Sequence, residues 1–347
     1  MIKIKLHELE KHRNECAFRP YLAAQNTLRE IGIEFTQGDS YDYAWVAQAS
    51  FANKKVTLEE SVDMGLEFLS KITGDYMLLD GQDSTSLIGT YEVFKDSNAL
   101  LLMKNSLLRD RSLYKQKWAL GRYYWGSGEY ELTDFDKYSD RIVLSGTNWL
   151  STHWSGINVQ WYDINRPKQY DVSAMFQYPS PKKVYEHGAI QSDHYDNFRR
   201  PSIEALENLE HNQFINIAKL ENGVRVSQEE YYNKTFNSKI LFAPFGYGEM
   251  APRDLEAAMF GSVLIKPDMS YIDTAPNPYI DGETYIACKH DFSDLNDKIM
   301  DILGNYEKYR DIIDNARTVF NQEMSHTNLA MHLHAMFKNL KGVTVEK

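Results

Sequence analysis

Within residues 239–266 a strand, a glycine-bearing turn, a short helix and a second strand follow one another, and this run constrains the fold most. Residues 239–243 form an apolar strand, and Gly246, Gly248 and Pro252 punctuate the turn. Residues 253–260 read as a helix, and Gly261 leads into the apolar strand 263–266. Two strands joined by a helical crossover run parallel. The helix mouth then lies beyond the C-terminal end of a strand, where open parallel sheets bind ligands. Free backbone N–H groups and the positive end of the helix dipole suit a phosphate there. Arg253 adds a planar fork of donors matched to phosphate oxygens. Glu256 lies one turn further on the same side and can accept from a sugar diol. A diphosphate and a ribose held together define a nucleotide-sugar site. Its candidate residues are Gly246, Gly248, Glu249, Arg253 and Glu256.

The rest of the chain repeats the alternation. Strands are predicted at residues 1–6, 43–49, 76–79, 100–103 and 142–144, with helices at about 19–31 and after the capping box Thr57…Glu60. Between residues 148 and 170 the pattern breaks, and Trp154, Gly156, Trp161 and Pro167 are scattered among polar residues. Strands return at 170–176, 214–218 and 284–288, with helices after Pro201 and after the capping box Ser227…Glu230. Three helices, from about Asp294, Tyr306 and Thr327, close the chain. The prediction is an α/β protein with two Rossmann-like domains facing across a cleft. Residues 1–150 form the first domain, 151–169 a linker, and 170–347 the second with the terminal helices.

Composition narrows the function. A net charge of -11 argues against non-specific nucleic-acid binding, which needs a cationic field. The longest apolar runs, such as residues 99–103, are far too short to cross a bilayer. No secretion signal opens the chain, and Cys16 and Cys288 give no disulfide framework, so a cytoplasmic setting is expected. The first strand and helix lack a Gly-x-Gly-x-x-Gly turn, which argues against dinucleotide oxidoreduction.

The run Arg253-x-x-Glu256-Ala257…Gly261-Ser-Val-Leu-Ile265 resembles the donor half of a GT-B glycosyltransferase of the exostosin-like and CgeB-like, group 1 type. The order Tyr279…Gly282-Glu-Thr-Tyr285, Asp294-Leu295, Tyr306-x-x-Tyr309 and Asn315-Ala316-Arg317 agrees with it. The resemblance covers residues 170–337. It implies that Arg253 contacts the donor diphosphate, that Glu256 holds the ribose hydroxyls, and that Gly246 and Gly248 let backbone approach the phosphates. Many retaining members of this fold carry two glutamates eight positions apart. Here Gly248 stands eight positions before Glu256 and Glu249 is one residue out of register, which leaves the stereochemistry open.

An inverting transfer needs a base from the acceptor half. Asp83, in the loop Asp80-Gly-Gln-Asp83-Ser84 after a predicted strand, is the first candidate; an Asx-turn explains the same loop equally well. His12 and His153 are the alternatives. Lys104, Asn105, Arg109 and Arg111 follow another strand and either steady acceptor and phosphate or form a solvated cluster. Asp134 and Asp136 form an Asp-x-Asp pair of the kind that binds a divalent cation, but no buried strand precedes them. His332 and His334 point apart on one helix, which argues against a metal site with His326.

These residues predict metal-independent transfer of a hexosyl or pentosyl group from a nucleoside-diphosphate sugar, most plausibly UDP-linked, to a hydroxyl of a glycan or other acceptor. No metal or other cofactor is expected. An NDP-sugar epimerase on the same fold and a non-catalytic nucleotide-binding protein are the alternatives.

Overall fold

In the computed structural model the alternation resolves into two parallel sheets. The structure describes residues 1–9, 11–51, 56–116, 131–148, 150–151, 161–176, 191–210, 215–220, 224–246 and 248–340, apart from the side chains of 12–14, 191–198 and 210.

The first sheet holds β1 (Ile2–Leu6), β2 (Ile33–Thr36), β3 (Tyr43–Ala47), β4 (Tyr76–Asp80) and β5 (Leu102–Lys104), with β7 (Ile142–Leu144) at its edge. Its order is β2-β1-β3-β4-β5-β7, with every neighbour parallel. Helices α1 (His12–Ala23), α2 (Gln25–Glu30), α3 (Leu58–Leu69) and α4 (Thr90–Lys95) connect these strands. The predicted capping box opens α3: the Glu60 N–H donates to Thr57 Oγ1 at 3.2 Å, and the Thr57 N–H donates to Glu60 Oε2 at 2.8 Å.

The second sheet holds β8 (Tyr170–Ala174), β9 (Ile217–Lys219), β10 (Ser238–Phe242), β11 (Val263–Pro267) and β13 (Ile286–Cys288) in the order β13-β11-β10-β8-β9, again all parallel. Around it run α5 (Gln191–Glu210), α6 (Gln228–Phe236), α7 (Pro252–Phe260), α8 (Leu295–Gly304) and α9 (Arg310–Glu323). The chain moves from β8 outward to β9 on one side and to β10, β11 and β13 on the other. The switch point, the place where open parallel sheets bind ligands, lies between β8 and β10. These are two Rossmann-like α/β halves.

Two elements join the halves. The short strands β6 (Ser106–Leu108) and β12 (Ile272–Thr274) pair antiparallel, one from each half. Arg109 and Arg111 both reach Asp273 beside that ribbon, at 3.0 and 3.4 Å. The last helix, α10 (His326–Leu340), was expected to close the second half; instead it crosses to the first. Its apolar stripe of Leu329, Leu333, Met336, Phe337 and Leu340 joins the core of the first sheet, with Phe337 stacked on Trp45 at 6.4 Å. Each large apolar side chain so buried contributes about 1.5–3 kcal/mol, so the crossing is strongly favoured. No helix among the described residues is long and apolar enough to cross a membrane.

Candidate functional site

The turn after β10 does not offer its N–H groups freely. Gly246 N–H donates to Gly248 O at 3.1 Å, and Glu249 N–H donates to the Asp83 carbonyl at 3.1 Å, with Met250 N–H at 3.5 Å from the same oxygen. Ala251 N–H donates to Asp254 Oδ2 at 3.1 Å, and Pro252 has no N–H. The expected backbone cradle is therefore largely filled by protein acceptors. Gly248 also has another role than the one expected. A Cβ there would lie 2.2 Å from the Asp83 carbonyl oxygen, so the missing side chain admits the opposite half's backbone.

Glu249, expected among the nucleotide ligands, turns its carboxylate to that same loop. Thr85 donates its N–H to Oε2 at 3.1 Å and its hydroxyl to Oε1 at 2.9 Å. Only 2% of Glu249 is exposed, and a carboxylate so buried needs such donors.

Beneath the turn lies a buried ion pair. Lys266 Nζ, on β11, is 2.8 Å from Asp254 Oδ2 in the first turn of α7, and both side chains are fully buried. The same ammonium donates to the Glu249 carbonyl, and Tyr279 Oη donates to Asp254 Oδ2 at 2.6 Å. Burial pulls the Lys266 ammonium down from its ordinary value, while Asp254 pulls it back up.

Arg253 reaches the end of β8, whereas Glu256 turns towards α6. Arg253 Nη1 donates to the Met175 carbonyl at 2.6 Å, and its guanidinium lies 5.7 Å from the Phe176 ring centre. Its Nε is buried without a hydrogen-bond partner among the described residues. Glu256 Oε2 accepts from Tyr231 Oη, on α6, at 2.6 Å. Burial raises the Glu256 carboxyl above its ordinary value, against the pull of Tyr231 and Arg253. The two side chains thus have separate partners rather than forming an exposed ion pair with each other.

Sequence reasoning missed Arg199. It lies on α5, is 5% exposed, donates from Nε to the Phe245 carbonyl at 3.0 Å, and lies 5.1 Å from the same Phe176 ring. Two guanidiniums from distant parts of the chain thus flank one phenyl ring at the switch point between β8 and β10. A single arginine in a polar helix carries no local signal, so no pattern pointed to it.

In the first half, the Asp83 loop follows β4 as expected and meets the turn after β10. The loop is held from behind, where Tyr114 Oη donates to the Thr85 carbonyl at 2.7 Å. His12 opens α1, but its side chain lies outside the described residues, as does His153. Lys104 is buried against Asp80 at 3.1 Å, and Asn105 accepts from Ser145 Oγ, so both serve the first sheet. Arg109 and Arg111 are committed to the β6–β12 ribbon. Asp134 accepts from Tyr91 Oη at 2.8 Å, while Asp136 pairs with Lys115 at 2.8 Å, so the two carboxylates have different partners. His332 Nε2 lies 2.8 Å from the Leu144 carbonyl.

No family model matches the sequence, and no curated protein matches it. Among solved structures, Anabaena Alr3699/HepE in complex with UDP-glucose is similar over 98% of this chain and 100% of its own, at 13% identity and TM-score 0.46. The S. aureus MnaA–UDP structure is similar over 100% of this chain and 98% of its own, at 9% identity and TM-score 0.49. A glycosyltransferase from Rickettsia africae ESF-5 is similar over 99% of both chains, at 11% identity and TM-score 0.39. At such scores the fold stands on the two sheets themselves and the site on its own geometry.

Proposed function

We propose that this protein is a GT-B-type glycosyltransferase that binds a UDP-linked sugar at the β8–β10 switch point and transfers the sugar to a hydroxyl acceptor. The observation that carries the reading is the convergence of Arg199 and Arg253 on Phe176, with Glu256 one helical turn beyond Arg253. Paired guanidiniums suit a diphosphate, which presents several oxygens to planar donors. Among the described residues Glu256 Oε1 has no hydrogen-bond partner, which leaves an acceptor for ribose hydroxyls.

In this reading the side chains, rather than the turn's N–H groups, hold the phosphates. Catalysis is mainly positioning, with the fixed guanidinium charges stabilising the departing diphosphate. Asp83 is the proposed base, because its loop meets the donor turn from the acceptor half. No divalent cation is required in this scheme, so activity is expected to survive EDTA.

Calorimetry with UDP tests the donor site. Arg253→Ala is expected to weaken UDP binding by about 2 kcal/mol, the loss of a charge-assisted bond. Equal affinity in the variant removes Arg253 from the site. Incubation with a UDP-sugar and an acceptor mixture should release UDP; conversion to a different UDP-sugar without release would favour epimerisation instead.

A further inference from the structure

The nucleotide-site helix α7 is braced from the opposite half of the molecule through an unbroken buried chain of polar contacts. Thr85 in the first half donates twice to Glu249. The Glu249 carbonyl accepts from Lys266, Lys266 pairs with Asp254, and Asp254 precedes Leu255 and Glu256 and adjoins Arg253 on α7. Thr85, Glu249, Lys266 and Asp254 are each at most 5% exposed. In such surroundings a polar group that loses its partner is costly, so the chain has few alternative arrangements.

We propose that Thr85 is a positioning residue for the nucleotide site. It touches no part of a bound nucleotide; it fixes Glu249, and through Lys266 and Asp254 it sets the start of the helix that presents Arg253 and Glu256. The consequence is that the acceptor-side loop and the donor helix move as one unit. A displacement of the loop at residues 81–86 is felt at the diphosphate. The role assigned to Arg253 and Glu256 rests on the function proposed above, whereas the mechanical link does not.

Thr85→Val removes the hydroxyl and keeps the branched shape, while Thr85→Ser keeps the hydroxyl. The first measurement is amide hydrogen exchange without nucleotide. Thr85→Val should speed exchange at Glu249, Met250 and the first turn of α7, and Thr85→Ser should restore protection. The second is UDP affinity, expected to fall about tenfold in Thr85→Val, the scale of one charge-assisted hydrogen bond, and to recover in Thr85→Ser. Exchange unchanged in Thr85→Val, or equal losses in both variants, overturns the proposal. If the wild-type protein binds no UDP, the proposed function fails and the exchange experiment alone decides the link. If Thr85→Val does not fold, Glu249→Gln takes its place in both measurements, since it keeps the shape and one acceptor oxygen.

Discussion

Gly248 is packed directly against the backbone of Asp83, from the opposite half of the molecule. The contact leaves no room for a side chain: a Cβ would lie 2.2 Å from the Asp83 carbonyl oxygen and 2.6 Å from its carbonyl carbon. Neither is a flexible side-chain tip, so a methyl group must push the two loops apart. Gly248→Ala should therefore cost about 1–3 kcal/mol in stability, the usual range for overpacking. Gly304 provides the control, because a Cβ there meets nothing within 4 Å. Gly304→Ala should leave stability unchanged or raise it by about 0.5–1 kcal/mol at most, so that the thermal midpoint does not fall. Equal midpoints for both variants would mean that the Asp83 contact yields without cost.

The Lys266–Asp254 pair makes a second, larger prediction. Both side chains are fully buried, and Asp254 also accepts from Tyr279 and the Ala251 N–H. Replacing Lys266 by Met removes the cation and leaves a carboxylate buried without it, at a cost of about 3–5 kcal/mol. The double variant Lys266→Met, Asp254→Asn should recover part of that loss, because no charge is then left unpaired. Denaturant unfolding of the two variants measures the difference, and a double variant less stable than the single one contradicts the electrostatic account.

Much of this was legible in local sequence. The apolar runs and both capping boxes located most strands and helix starts, because backbone pairing and caps depend on nearby residues. Two errors share one cause. Helices were expected from about Arg19 and after Pro201, yet α1 starts at His12 and α5 at Gln191, with Pro20 and Pro201 inside them. A proline at the first helical turn loses no hydrogen bond, so the local rule favours that place, but tertiary packing can carry a helix through it. Near the switch point, the sequence singles out Arg253 and Glu256 only through their place between a glycine turn and a buried strand. Arg199 was not, nor was the commitment of Glu249 to Thr85, because each depends on contacts between segments distant in sequence.

Glu92 predicts a pH effect at the acid end. Its carboxylate accepts from the Gly89 N–H at 2.7 Å at the start of α4, and burial pushes its carboxyl up to about 7 from an ordinary 4.5. The folded state therefore binds the proton more tightly than the unfolded chain. Its contribution to stability is full below about 4.5 and is lost as pH rises to about 7. Glu92→Gln keeps the acceptor for Gly89 but cannot titrate. The stability difference between wild type and variant should fall steadily across that window, as read from urea midpoints, and a flat difference would refute the shift.

Lys168 predicts the opposite slope at higher pH. Its ammonium donates to the Phe236 and Phe260 carbonyls, at 3.0 and 2.7 Å, at the C-terminal ends of α6 and α7. Those carbonyls favour a cation, yet burial together with neighbouring Arg166 and Arg317 pulls Lys168 down to about 7 from 10.5. Here the unfolded chain binds the proton more tightly between the two values. Stability should therefore rise as pH climbs from about 7 towards 10.5. Lys168→Met removes the titrating group and keeps the length of the side chain. Wild type should gain on the variant across this range. Parallel stability curves would show that the two helix ends hold Lys168 charged throughout, outweighing the two guanidiniums beside it.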